Sequence, residues 1–306
     1  MNILTAFKTV AVMLLCAVPG FLMIKSRLIK SDSISAFAKL LLYVCQPCLV
    51  VSALTGVRYS KKTATDLLIV FALILFSELL MTGITILIFR KKYAEARFRI
   101  YTVASCMGNV GFMGVPVIKA LLPNDPEAVA FTAAASLALN VYGWTIASAV
   151  ISQDKKYISV KKIILNPATV AIIVALPLFL TNTAIPGALG EQVDLIGKFA
   201  TPLCMVVMGA RLACAKFSDV FLKLGNYLTV ALKQIIYPLI VLLILKLLPL
   251  DYSMKCAVYV IAACPVASMV LNFSELIGKG REEAAGVLLL GTALSCLTLP
   301  LMILLI

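Results

Sequence analysis

Hydrophobic residues come in long runs along this chain, and polar residues gather in short clusters between them. About ten apolar runs of roughly 18 to 28 residues lie near 5–24, 34–56, 66–89, 98–122, 128–151, 162–181, 193–213, 219–248, 252–277 and 284–306. Each is long enough to cross a hydrocarbon core of about 30 Å as a helix, so the pattern predicts an all-α integral membrane protein with ten transmembrane helices.

Two of these runs contain residues that a helix does not tolerate in its middle. The fourth carries Gly108, Asn109, Gly111, Gly114 and Pro116, and the ninth carries Pro265 and Asn272. Glycine leaves the helix without a packing side chain, and proline removes a donor and clashes with the preceding turn. Both runs are expected to break. Unwound backbone at membrane depth survives only where protein or a water-filled cavity surrounds it, so each break points to a binding site.

The runs divide into five and five around a basic connection. Residues 1–151 form a first five-helix unit, 152–162 a basic cytoplasmic loop, and 163–306 a second five-helix unit. Features recur across the division at a shift of about 155 residues. Gln46-Pro47-Cys48-Leu49 in the second run answers Thr201-Pro202-Leu203-Cys204 in the seventh, and Pro126-Glu127-Ala128 answers Glu282-Glu283-Ala284. Asn109 and Pro116 are seven apart, as are Pro265 and Asn272, with the order of the two types exchanged. An odd number of spans per unit makes the second copy cross the membrane in the opposite sense, so the repeats are inverted. Helices four and nine are then expected to cross at the midplane. Their half-helix N-termini offer free N–H groups and about half a positive charge each, and their C-termini offer carbonyls and the opposite charge. Such a centre can hold an anion without a formal cation.

Composition agrees with this layout: 62% of residues are hydrophobic, 13% are charged, and mean hydropathy is +1.06. The net charge of +13 does not mark a nucleic-acid binder, because the basic residues sit in short loops. With the N-terminus outside, the loops placed inside hold roughly twice the lysines and arginines of the other side, so both termini are expected to be extracytoplasmic in a multi-pass protein of the cytoplasmic membrane. The first run lacks a convincing cleavage site and is needed by the repeat, so it is read as a retained helix rather than a signal peptide. Nine scattered cysteines read as small packing residues, including Cys45 and Cys48 despite their redox-like spacing. Histidine is absent, which removes the commonest metal ligand and near-neutral proton carrier. No metal site or cofactor is expected beyond a coupling ion, proton or sodium.

Ionisable residues within spans are few and expensive to insert. Glu78 in the third run and Lys233 in the eighth lie at similar depth in equivalent helices, and could meet as a buried pair; the other readings are that both face the bundle interior separately, Lys233 snorkelling toward the cytoplasmic side, or that Glu78 is a protonated site of its own. Asn272 and Glu275 share a helix face by their spacing and could coordinate a cation or line the path; the other reading has Glu275 reaching the cytoplasmic interface ahead of Lys279 and Arg281. Gln46 and Asn140 are weaker candidates for the cavity lining. Arg211 reads as the inner end of the seventh span, with a lure for anions as its alternative. No HExxH, phosphate loop or Gly-x-Ser-x-Gly elbow is present, so no enzyme is expected.

With these residues in place, the chain resembles the auxin efflux carrier family, which includes PIN-type plant carriers and bacterial permeases. The resemblance rests on the ten-span layout, the basic central loop, Gly108-Asn109-Val110-Gly111-Phe112-Met113-Gly114-Val115-Pro116, and Ala263-Cys264-Pro265 with Asn272. It implies a fold of the bile-acid/sodium symporter type, a scaffold part and a transport part, elevator-like or rocking alternating access, organic anions as substrates, and allows a homodimer. It places the substrate site at Asn109, Pro116 and Pro265, to which the break adds Gly111, Gly114 and Asn272. The long cytoplasmic loop of many plant members is missing, which favours a bacterial carrier for a small carboxylate such as malonate or malate. Two alternatives stand beside it: a cation or proton exchanger using Glu78, Lys233 and Glu275, and a membrane sensor.

Overall fold

A computed structural model describes residues 3–306, and every regular element among them is helical. Twelve helices follow in order: α1 Leu4–Lys25, α2 Ser33–Thr55, α3 Lys61–Phe89, α4 Ala96–Ala104, α5 Val110–Leu121, α6 Pro126–Ser152, α7 Lys155–Leu180, α8 Gly187–Cys214, α9 Leu224–Leu247, α10 Tyr252–Ala263, α11 Ser268–Ile277 and α12 Arg281–Ile303. Eight of them, α1 to α3, α6 to α9 and α12, are long and apolar enough to cross a membrane. The other four are the pieces of the two runs expected to break, α4 with α5 and α10 with α11.

Local chemistry sets the ends and irregularities. Ser60 accepts a hydrogen bond from the Thr63 N–H and Asp125 one from the Ala128 N–H, so α3 and α6 begin on side-chain caps. Helix α3 therefore starts five residues before its apolar run, and α8 starts six before, because hydropathy marks the lipid-facing stretch and not the polar turns that extend beyond it. Widened π turns at Leu41–Cys45, Val110–Gly114 and Leu232–Ile236 each precede a proline, Pro47, Pro116 or Pro238, at the start of the next regular turn. The missing proline donor leaves a carbonyl unserved in the turn before it, and widening that turn lets the helix continue without the ring clash. Gly278 and Gly280 adopt left-handed backbone (φ 74° and 64°) to turn the chain between α11 and α12.

The helices pack as two bundles. In the smaller, α8 packs against α1 and α2, and α2 against α7. Helices α1 and α8 touch backbone to backbone: a Cβ at Gly20 would lie 1.9 Å from the Val206 carbonyl oxygen, and one at Gly209 would lie 1.8 Å from that of Ala17. No side chain fits at either position. The larger bundle joins α3 to α6, α6 to α10, and α12 to α4, α9 and α11. The first half of α1 packs on α5 and α12, and α2 on α6, closing the seam between the bundles. Large apolar side chains such as Leu68, Leu87, Leu195 and Leu243 face outward, as lipid requires.

Candidate functional site

The two breaks meet. Residues 105–109 and 264–267 pass each other antiparallel, with a single β-bridge between Gly108 and Val266. The Asn109 N–H donates to the Pro265 carbonyl at 2.8 Å, and the Ala267 N–H donates to the Met107 carbonyl at 3.0 Å. Unwound backbone thus satisfies itself across the crossing, as buried polar groups require. The approach is tight: a Cβ at Gly108 would stand 3.1 Å from the Ile261 carbonyl oxygen and 3.3 Å from the Lys233 Nζ, so a side chain there would push these neighbours by a few tenths of an ångström.

Four helix ends converge here, the C-termini of α4 and α10 and the N-termini of α5 and α11. Asn109 is the N-cap of α5, and its carbonyl accepts from the Met113 and Gly114 N–H groups at 3.2 Å each. Its side chain does not cap the helix, and contacts Cys204 of α8 instead. Ala267, the N-cap of α11, has no side chain to offer. Both N-termini therefore keep uncapped N–H groups.

They open into a cavity of about 190 Å³ whose wall is completed by α2, α6 and α7. Asn109 and Gly111 line it from the first break, and Asn272 from α11; Gln46 and Asn140 line it as well. Gly114, Pro116 and Pro265 are not in the wall. Gly114 faces the Cys264 sulfur, Pro116 follows the π turn of α5, and Pro265 lends its carbonyl to the crossing, so these three shape the break and leave the lining to others.

Sequence reading missed part of the wall: Ser136 and Trp144 of α6, Asn166 of α7 and Ser268 of α11. Trp144, the only tryptophan in the chain, was the visible signal. Its ring meets Phe273 edge-on at 4.8 Å between centroids, and the Lys162 Nζ stands 4.8 Å above its centre. Asn166 accepts from the Ala168 N–H and from the Asn140 side-chain amide. Two buried polar atoms of the wall residues, Gln46 Oε1 and Trp144 Nε1, have no partner. Both atoms are shielded from solvent, so each is a buried polar group that the surrounding helices leave unserved. No charged side chain is among the lining residues.

Glu78 and Lys233 are both buried near the crossing, and interact electrostatically, but the direct pair expected between them is not formed. The Lys233 ammonium donates instead to the Ala262 carbonyl at 2.6 Å, and Glu78 Oε2 is unpartnered. The reason is geometric: the C-terminal turn of α10 offers a carbonyl within direct reach of the ammonium. Glu275 is likewise not in the cavity with Asn272. It lies half-exposed and pairs with Arg281 at 3.4 Å. Arg211 sits in the last turn of α8, as expected for a span end, with one buried guanidinium nitrogen unpartnered. A second cavity, about 240 Å³ between α1, α2 and α8, has only apolar residues around it and gives an anion nothing to bind.

Membrane-length helices packed around a discontinuous crossing with an open polar cavity are the arrangement of a membrane transport protein. Residues 5–303 match the family described as membrane transport protein, and the chain belongs to it, the auxin efflux carrier family. No curated protein matches the chain.

Proposed function

We propose that the protein is a secondary carrier that moves a small organic anion across the cytoplasmic membrane by alternating access. The observation that carries this reading is the convergence of two uncapped half-helix N-termini and the amides of Asn109, Asn140 and Asn272 on one uncharged cavity. Each N-terminus contributes about half a positive charge and oriented N–H donors, which replace water around a carboxylate. In this reading the two broken pairs are spans four and nine of ten, arranged as two inverted five-helix repeats with both termini outside. The small bundle, locked through Gly20 and Gly209, serves as scaffold, and the larger one carries the site past it.

The test is uptake of labelled malonate or malate into liposomes containing the purified protein. Accumulation inside sealed vesicles is expected, with reduced uptake for Asn109→Ala at equal incorporation. Binding without accumulation would make the protein a sensor. A second reading, a proton or cation exchanger, is favoured by the unpartnered buried Glu78 Oε2. It requires Glu78→Gln to abolish ion movement while carboxylates have no effect.

A further inference from the structure

Half-helix C-termini present carbonyls without partners and about half a negative charge each. In carriers built on discontinuous helices such ends hold the coupling cation. Two such ends meet here, the last turn of α10 and the end of α4 with the residues that follow it. Lys233 reaches the end of α10 from the π turn of α9. Its side chain is wholly buried, so the ammonium does not snorkel to water. The Nζ donates to the Ala262 carbonyl at 2.6 Å, one residue before the end of α10. It also lies 3.3 Å from where a Gly108 Cβ would be, at the break that follows α4, and stands 4.6 Å above the centre of the Tyr237 ring. Nothing apolar of this length would satisfy those groups, and Lys233 is outside the lining of the cavity.

We propose that Lys233 is a tethered counter-cation: its ammonium occupies the place at the half-helix C-termini that a coupling metal ion would need, so the crossing works without sodium. The lysine stays in every state of the protein, where a metal ion would have to bind and leave. The anion at the opposite helix ends therefore faces the Lys233 ammonium behind the break. This deepens the carrier reading in its functional consequence, and its structural content stands apart from it.

The experiment is thermal unfolding of the purified protein in sodium chloride, choline chloride and methylammonium chloride at equal ionic strength, for wild type, Lys233→Ala and Lys233→Met. Wild type should melt at one temperature in all three salts. Lys233→Ala opens a cation-sized space at the carbonyl ends. It should melt lower in choline and recover in methylammonium, with sodium giving a smaller recovery. Lys233→Met fills the space with an apolar chain, so it should melt lower and recover in neither. A sodium-dependent rise in the wild-type melting temperature overturns the proposal, as does a Lys233→Met variant as stable as wild type or a folded Lys233→Ala indifferent to methylammonium. If neither variant folds, the wild-type comparison decides alone. Absence of carboxylate uptake with these melting results intact would refute the carrier reading and leave the counter-cation in place.

Discussion

The two breaks at the crossing use the same residue types in opposite places. In the first, the amide is in the break: Asn109 caps α5, and Pro116 follows seven residues later, beyond a π turn. In the second, the proline is in the break, and Asn272 sits in the second turn of α11. Asn109 is held on both sides of its own backbone, its N–H to Pro265 and its carbonyl to Met113 and Gly114, and is 5% exposed. Asn272 is itself exposed, on a regular turn whose neighbours Leu271 and Phe273 are buried. The similar spacing in sequence thus builds two different parts. In the carrier reading the first break is a fixed binding element, and the second is a backbone lock that holds it.

If that division is right, substitutions at the first break should act on binding and those at the second on geometry. Asn109→Asp should have the largest effect, because it adds a charge of the ligand's own sign inside an uncharged wall. Malonate affinity, read by ligand-dependent thermal shift or calorimetry, should fall by about 100-fold or more, roughly 2.7 kcal/mol. Asn109→Ala removes a hydrogen bond to a charged group, and about 10- to 100-fold is expected. An Asn109→Asp protein that binds malonate as wild type does would end the role assigned to this residue.

Pro265→Ala comes next. Proline at 265 leaves the Ile261 carbonyl, four residues earlier, without the donor that would continue α10. That carbonyl faces Gly108. An alanine there supplies the N–H, extends α10 by a residue and draws the 265 carbonyl away from Asn109. A melting temperature a few degrees lower is expected, with a loss of uptake larger than the loss of stability accounts for, because the register of the binding element has shifted. Equal losses in both would make Pro265 a stability residue only.

The breaks themselves were legible because glycine and proline act through backbone chemistry, which needs no partner to predict. That the breaks would face each other was an expectation drawn from reading the runs as two inverted halves, a reading of the whole pattern rather than of any residue. What sequence could not supply was the third side of the cavity. Trp144 and Asn166 reach the site because α6 packs on α11 and α7 through side chains, and hydropathy along each helix is blind to which neighbour it will meet. The partner of Lys233 was hidden for a related reason. Charge complementarity suggested Glu78 as its partner, but a carbonyl at a helix end is also an acceptor, and it becomes visible only once α10 is known to stop at Ala263.

Asn272→Ala should cost less than any change at Asn109. Its side chain is exposed and has no second anchor, so its hydrogen bond to the anion competes with water, and a loss of about fivefold in affinity or ~1 kcal/mol is expected.

The smallest effect is expected one turn further along, and it separates the two functional readings. Glu275 shares the helix face of Asn272 by spacing, yet it points out of the cavity to Arg281 at 3.4 Å, and its side chain is 39% exposed. An ion pair of that exposure contributes about 0–1 kcal/mol and is screened by salt. Glu275→Gln should therefore leave malonate affinity, uptake and melting temperature near wild type, with any small destabilisation vanishing at high salt. An exchanger that routes a cation through Glu275 predicts the opposite, loss of ion movement in a stable protein. The same variant measured in one liposome preparation for carboxylate uptake and for proton or sodium flux thus tests whether the face that begins at Asn272 ends as a transport path or as solvated surface.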